Sequence, residues 1–437
     1  MKANRASLPP ALAPVLILFA INVLNFYDRG VPAALAEPLR KEFNLNDTQL
    51  GLMGSVFIWI YAIVGVPLGR VADSWSRKKL LASGVVVWSS LTAVAAIAGS
   101  FPLLLLSRMG VGVGEAVCAP TGTSWLGDLF PASRRARVLA LFMLGVPIGN
   151  ALSQAFSGPI AQAWGWRAAM VVAALPALIL VPALLRLREP ERGASESDGV
   201  DDEKGSIWDV LRIPTLWWII ASGVFLNFNM YAFHSFLPAF LSRVHSMSVA
   251  QAGAATGLVY LISGVGGGVA AGFLGDRIIR TSKNGRMWMA ALISLVGAPF
   301  AYFGILQPHG QAVLALALMS IAYAAMNAYY GLVYSSIQDI VKPRQRGITM
   351  ALYFMVMYLC GASFGPVLTG SLSDRFARQA MAGAGTLQMT EAFRAIGLQQ
   401  AMQVIPVLLI ALAAVLYLGS RTIVRDTIAI RELSDVR

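Results

Sequence analysis

Charge is what this chain lacks most. Asp, Glu, Lys and Arg make up only 13% of it, about half the share of a soluble domain. With 57% hydrophobic residues, that shortage excludes a single solvated globule, whose surface could not cover so much apolar material. Cysteine is almost missing too. Cys118 and Cys360 both lie inside apolar runs, which implies small buried hydrophobes and no disulfide framework. The three histidines, His234, His245 and His309, are scattered, with no two at helical i, i+4 spacing. Without a zinc-type cluster or a phosphate loop, nothing points to an enzyme, a metal or a cofactor. A membrane-embedded enzyme acting on lipids is the reading from another class that these absences disfavour. Long polar loops are also scarce, which leaves no place for an added soluble sensor domain.

What is present is a series of apolar runs, each near the roughly 20 residues needed to cross a bilayer. They fall near 13–36, 48–72, 79–99, 101–126, 135–162 and 166–187, and again near 213–241, 249–277, 286–306, 311–339, 346–373 and 395–419. The expectation is an all-α polytopic membrane protein with twelve transmembrane helices. The first run lacks a small-residue cleavage site and reads as a retained helix. An acidic, Ser- and Gly-rich break, Ser195 to Lys204, separates the two sets. The chain thus divides into an N-terminal six-helix bundle (1–187), an inter-bundle linker (188–212), a C-terminal six-helix bundle (213–420) and a tail (421–437).

The two sets are alike. Gly69-Arg-Val-Ala-Asp73-Ser-Trp-Ser-Arg77-Lys78 recurs in reduced form as Gly272-Phe-Leu-Gly-Asp276-Arg-Ile-Ile-Arg280. Asp128-Leu-Phe-Pro-Ala-Ser-Arg134-Arg135-Ala-Arg137 is echoed by Asp339-Ile-Val-Lys-Pro-Arg344-Gln-Arg346. Both pairs stand roughly 200 residues apart, and repetition at one period implies two pseudo-symmetric halves, a plan of membrane transporters. Roughly three-quarters of the Lys and Arg residues flank the same side if both termini are cytoplasmic. That bias predicts a multi-pass protein of a cell (inner) membrane with both termini inside. The net charge of +12 does not suggest nucleic acid, because its basic residues sit in short loops with no aromatic-studded basic face.

Four ionisable residues interrupt apolar spans. The first span carries Asn22, Asn25, Asp28 and Arg29; the fourth carries Arg108, Gly112 and Glu115. An ionised side chain near the bilayer centre costs about 2.5–3.5 kcal/mol even on the lenient insertion scale. Two acids and two bases allow full pairing. Arg108, Gly112 and Glu115 share one helical face at i, i+4, i+7, while adjacent Asp28 and Arg29 point about 100° apart. The four can be a self-satisfied lattice, but intramembrane charges more often mark a pathway or proton relay. Asp28 and Glu115 are therefore the candidate proton-coupling groups. His234 is either a further polar contact or a hydrogen-bonded packing residue. The second half is aromatic: Phe225, Phe228, Tyr231, Phe233, Tyr323, Tyr329, Tyr330, Tyr353 and Tyr358, with Asn227, Asn229 and Asn327 between them. A charged first half facing an apolar, aromatic second half suits a small amphipathic ligand.

The loop signatures, Gly69, Asp73, Arg77 and Lys78 with Asp128 and Arg137, and Asp276, Arg280 and Arg346 in the second half, read as candidate gates. Such a cluster can hold the halves together on the cytosolic side and break when that side opens. Gly69 to Lys78 resembles the cytoplasmic loop signature of the major facilitator superfamily, and Arg108-x3-Gly112-x-Gly114 is similar to its fourth-helix signature. Asn25-Phe-Tyr-Asp28-Arg29, Arg108 to Glu115, Asp128-Leu-Phe and Leu187-Arg-Glu-Pro-Glu-Arg-Gly193 resemble the spinster branch of that family.

This resemblance implies two bundles around a central cavity moving by rocker-switch alternating access. It also implies export of lysophospholipids or sphingosine-phosphate-type lipids, with Asp28 and Glu115 as proton sites and Arg29 as contact for an anionic head group. Asn25, Arg108, His234, Asn227, Tyr231 and Tyr330 are the further candidate substrate contacts. The expected partners are a small amphipathic substrate, protons and membrane lipids, and the two-bundle plan works as a monomer. The other reading on the same scaffold is an organic-anion, sugar-acid or drug/proton transporter.

Overall fold

The computed structural model describes residues 12–192, 207–279, 282, 284–342 and 345–435. Among them no strand occurs, and twelve helices are long and apolar enough to cross a membrane. They are α1 (Leu12–Ala34), α2 (Asp47–Ala72), α3 (Arg77–Ala96), α4 (Phe101–Leu129), α5 (Arg137–Trp164), α6 (Trp166–Arg186), α7 (Pro214–Val244), α8 (Val249–Gly275), α9 (Gly285–Ile305), α10 (Ala312–Asp339), α11 (Arg346–Gly383) and α12 (Glu391–Ile428). The protein is an all-α, multi-pass membrane protein. The acidic stretch from Ser195 to Lys204 lies outside the described residues.

Helix starts explain much of the register. Asn46 accepts from the Gln49 amide while the Gln49 side chain accepts from the Asn46 amide, a capping box that opens α2. Ser248 and Gln251 repeat the device at the start of α8, the equivalent point of the second half. Ser76 caps α3. Gly165, at φ 85°, supplies a backbone turn an L side chain resists and folds α6 back on α5. Two spans run past their apolar windows. Helix α11 continues to Gly383, past the apolar run that ends near 373, and leaves only Ala384–Thr390 before α12. The helix of α12 persists to Asp435, where Asp426 accepts from the backbone amide and hydroxyl of Thr215 and so caps the start of α7.

Helices α1–α6 form one bundle and α7–α12 the other. They meet along two matching seams, α5 on α8 and α2 on α11, with α1 on α7 between them. Both seams are tight at the end farthest from the linker and loose at the linker end. At the far end a Cβ on Gly370 would lie 2.1 Å from the Asp47 carbonyl oxygen, and one on Gly253 would lie 2.5 Å from that of Gln154. At the linker end, by contrast, Cβ atoms on Gly69 and Gly272 would meet nothing within 4 Å. The bundles therefore touch at one end and part at the other.

Candidate functional site

Helix α1 carries the charges to the middle of the first bundle. Asp28, fully buried, accepts from Arg108 Nη1 at 2.7 Å and from Thr92 Oγ1 at 2.5 Å. Its neighbour Arg29 turns to another side, donating from Nε to Glu115 Oε2 at 2.6 Å. The adjacent pair thus serves two partners, both on the face of α4 that holds Arg108 and Glu115. Phe57 of α2 packs where Gly112 leaves room, since a Cβ there would lie 2.9 Å from the Phe57 carbonyl oxygen. The network is neutral overall. Removing one member strands a buried charge, a loss of about 3–5 kcal/mol.

The pairing leaves specific gaps. Glu115 Oε1, Arg108 Nε and Asn25 Nδ2 are buried with no hydrogen-bond partner, while Asn22 donates to the Phe142 carbonyl oxygen. The regular helix of α4 pauses after Glu115 and resumes at Cys118, beside the charges. Arg29 is the least enclosed of the four, with 10% of its side chain exposed. Its guanidinium lies 4.4 Å from the Tyr61 ring centroid and 4.5 Å from that of Phe26, within cation–π range.

From the second bundle a wall of tyrosines faces this group. Tyr358 sits edge-on to Tyr61 at 6.0 Å between centroids and to Tyr231 at 6.3 Å. Tyr330 donates to Asn227 Oδ1 at 3.3 Å, and Asn227 Nδ2 reaches Met357 Sδ at 3.1 Å. Met357 and Tyr358 begin a π-helical segment, Met357–Ala362, an irregularity common at functional sites. The structure so brings together Asp28, Arg29, Arg108 and Glu115, and sets Tyr231, Asn227 and Tyr330 around Tyr358. His234 is elsewhere, stacked on Tyr260 at 5.1 Å. The run Gly361-Ala-Ser363-Phe-Gly365 has the letters of a hydrolase nucleophile elbow, but it is helical. Its buried Ser363 hydroxyl donates to the Leu359 carbonyl oxygen, so the elbow's strand-to-helix turn is missing.

Among the described residues, the contacts of Arg77, Lys78 and Glu189 in the loop signature organise the first bundle. Arg77, fully buried, pairs with Asp128 and with Glu189 Oε1 at 3.2 Å, and donates to the Pro190 carbonyl oxygen at 2.7 Å. Lys78 Nζ reaches the Leu187 carbonyl oxygen, and Arg192 reaches those of Ala72 and Trp75. Burial works to raise the Glu189 carboxyl. Hydrogen bonds from the Ser76 hydroxyl, the Arg77 and Lys78 amides and the Arg77 guanidinium outweigh it and hold Glu189 below the ordinary carboxylate value. In the second bundle the counterpart is Arg286 on Asp339 at 2.8 Å, joining α9 to α10 as Arg77 joins α3 to α4. Arg280 lies outside the described residues, as do the side chains of Asp73 and Asp276. Arg137 and Arg346 are exposed.

Among the described residues, the ion pairs that cross between bundles are at the opposite end, in residues that sequence reasoning passed over. Arg243, at the end of α7 and 2% exposed, donates to Glu37 Oε1 at 2.5 Å and Asp47 Oδ2 at 2.8 Å. Asp374 of α11 caps the start of α2, accepting from the Asp47 and Thr48 amides at 3.0 and 2.9 Å. Ser373 adds a bond to Asp47 Oδ2, and Arg40 reaches Glu391 Oε2 at 2.7 Å. One cation, Arg243, and two carboxylates, Asp374 and Glu391, from the second bundle thus clamp the far end of the first.

Comparison with known proteins bears on this arrangement. A family model described as Major Facilitator Superfamily matches residues 18–366. Human protein spinster homolog 1 is 30% identical over 393 residues, covering 83% of this chain and 73% of that protein. An MFS-type efflux pump of Mycolicibacterium smegmatis is 29% identical over 374 residues, covering 85% and 86%. The crystal structure of a bacterial homolog to the human lysosomal transporter Spinster, in an inward-facing and unoccupied conformation, matches with a TM-score of 0.88 at 28% identity, over 96% of this chain and 99% of that one.

Proposed function

The chain belongs to the Major Facilitator Superfamily, as a spinster-like transporter, and on that premise we propose that it is a proton-coupled carrier of an anionic or zwitterionic amphiphile. A lysophospholipid or a sphingosine-phosphate-like lipid is the substrate class that fits. The observation that carries the reading is the Arg29 group: a guanidinium tied to Glu115 by a single bond, ringed by Phe26 and Tyr61, and facing tyrosines of the other bundle through Tyr358. Such a site offers one cation to a head group and aromatic surface to an apolar body.

Coupling follows from the gaps. Both carboxylate oxygens of Asp28 are engaged, whereas Glu115 Oε1 has no donor. A proton arriving at Glu115 Oε1 neutralises the partner of Arg29 and frees the guanidinium for an anionic group. Proton and anion then load together, and neither side is left with an unpaired buried charge. With both termini cytoplasmic in an inner membrane, the parted linker end opens to the cytosol. Movement of the bundles would close it as the clamp of Arg243 and Asp374 releases. The organic-anion or drug/proton reading keeps the same site, and the efflux-pump relative accords with it.

The reading is tested in proteoliposomes. Uptake of a labelled lysophospholipid should respond to an imposed pH gradient, and Glu115→Gln should remove that response. A gradient response that survives in Glu115→Gln would take Glu115 out of the coupling.

A further inference from the structure

Where α7 ends at the far side, the chain turns through His245, Ser246 and Met247. This corner holds a titratable group that the central network does not use. His245 is 7% exposed, its ring sits edge-on to Phe240 at 5.4 Å between centroids, and neither ring nitrogen has a hydrogen-bond partner. A neutral imidazole carries one donor and one acceptor, and a buried polar atom left unmatched calls for a reason. Ser246, held in the left-handed region at φ 55°, sets its Oγ 3.0 Å from His309 Nε2. A second imidazole, from the turn between α9 and α10, is thereby fixed against the same corner. Two residues before His245 stands Arg243, the pin of the far-end clamp.

The charges on the surrounding elements are spoken for. On α7, Arg243 serves Glu37 and Asp47. On the short helix Ala36–Phe43, Arg40 holds Glu37 and Glu391. On α12, Arg394 lies 4.0 Å from Glu391. On α11, Asp374 takes the amides of α2. No carboxylate is hydrogen-bonded to His245. Burial, and after it the charge of His309, hold the His245 pKa below its ordinary 6.5.

We propose that His245, with His309 beside it, is a second proton-binding site, and that a proton taken up there from the far side of the membrane opens the far-end clamp. An imidazolium has two donors and no acceptor. In the closed corner neither donor has a partner, and the Arg243 guanidinium stands two residues before it in the chain. The charged ring reaches water only if the end of α7 swings outward, and that swing withdraws Arg243 from Glu37 and Asp47. The sign follows from the depressed pKa. Closure is fully favoured above about pH 6.5, the ordinary value, and loses ground as the pH falls below it toward the lowered value. The inference rests on the alternating-access reading and is independent of the substrate.

The test uses spin labels at Trp164→Cys and Val313→Cys, two far-end sites in different bundles that are 74% and 82% exposed. Cys118 and Cys360 are replaced by Ala, and label distances are measured in nanodiscs from about pH 8 to about pH 5, the range in which His titrates. The long-distance population should grow as the pH falls from about 6.5, the ordinary His value, and stay flat above it. His245→Gln should make the response flat, and His309→Gln should move its midpoint to higher pH by lifting the like charge. A wild-type response retained in His245→Gln, or an unmoved midpoint in His309→Gln, overturns the proposal. If wild type ignores pH while Arg243→Met still separates the labels, the proposal fails and alternating access stands. If neither separates them, the alternating-access reading fails as well.

Discussion

Arg243→Met isolates the clamp. The methionine keeps most of the volume at the end of α7 but removes the cation between Glu37 and Asp47, which are 7% and 1% exposed. Leaving buried carboxylates without their cation costs about 3–5 kcal/mol. Two contacts soften the loss: Arg40 still holds Glu37, and the Ser373 hydroxyl still donates to Asp47 at 2.6 Å. The lower figure, about 3 kcal/mol, is therefore the one to use. In the far-end-open form both carboxylates reach water, so the whole cost falls on the closed form. At about 1.4 kcal/mol per decade, the ratio of open to closed should rise roughly 100-fold. Distances between labels at Trp164→Cys and Val313→Cys report the ratio directly, and retained thermal unfolding shows that the fold survives. A change below about fivefold would refute the clamp, since an exposed pair, at about 1 kcal/mol at most, contributes no more than that.

Further outcomes follow from the same contacts. Asp28→Asn should abolish the dependence of transport on a pH gradient while exchange of substrate for substrate persists; an unchanged gradient response would remove Asp28 from the mechanism. Gly370→Ala places a methyl group 2.1 Å from the Asp47 carbonyl oxygen and should shift the label distances toward the open form by tenfold or more. Gly69→Ala, with nothing within 4 Å, should leave them within about twofold of wild type. Glu189→Gln should lower the thermal midpoint by a few degrees at neutral pH. Because the Glu189 carboxyl is held below its ordinary 4.5, that difference should shrink as the pH drops beneath 4.5, and a pH-independent difference would contradict the assignment.

Much of the architecture was legible because membrane crossing writes itself locally. About 20 apolar residues, a capped start and a basic flank are all short-range signals, and the twelve helices fall close to the expected runs. The four central charges were legible for the same reason, since each is conspicuous among apolar neighbours. Their partnering was only half legible. Helical angles separated Asp28 from Arg29 and put Arg108 with Glu115, but which acid met which base required the packing of α1 on α4. The far-end clamp was hidden altogether. Glu37, Asp47, Arg243, Asp374 and Glu391 lie beside loops, where charges are ordinary, and their pairing is made only by the meeting of two bundles.

The repeated loop signature was visible in the sequence. Arg280 was matched to Arg77 by spacing and lies outside the described residues, while among the described residues Arg286 on Asp339 joins α9 to α10. The gate was expected at the signature for the same reason: a repeated charge cluster stands out, while the unrepeated one at the other end does not. In this conformation Arg77 and its partners Asp128, Glu189 and Pro190 instead brace one bundle internally, which lets that bundle move as a rigid unit.

The central claim, that Arg29 receives the anionic head of an amphiphile, is tested most directly by binding. Purified protein in nanodiscs would be titrated with a panel of lysophospholipids and sphingosine phosphate, wild type beside Arg29→Ala. The account predicts saturable lipid binding that Arg29→Ala weakens at least 100-fold, as loss of a charge-assisted contact of about 3 kcal/mol requires. Binding of a water-soluble organic anion with no lipid binding, or lipid binding untouched by Arg29→Ala, would contradict it.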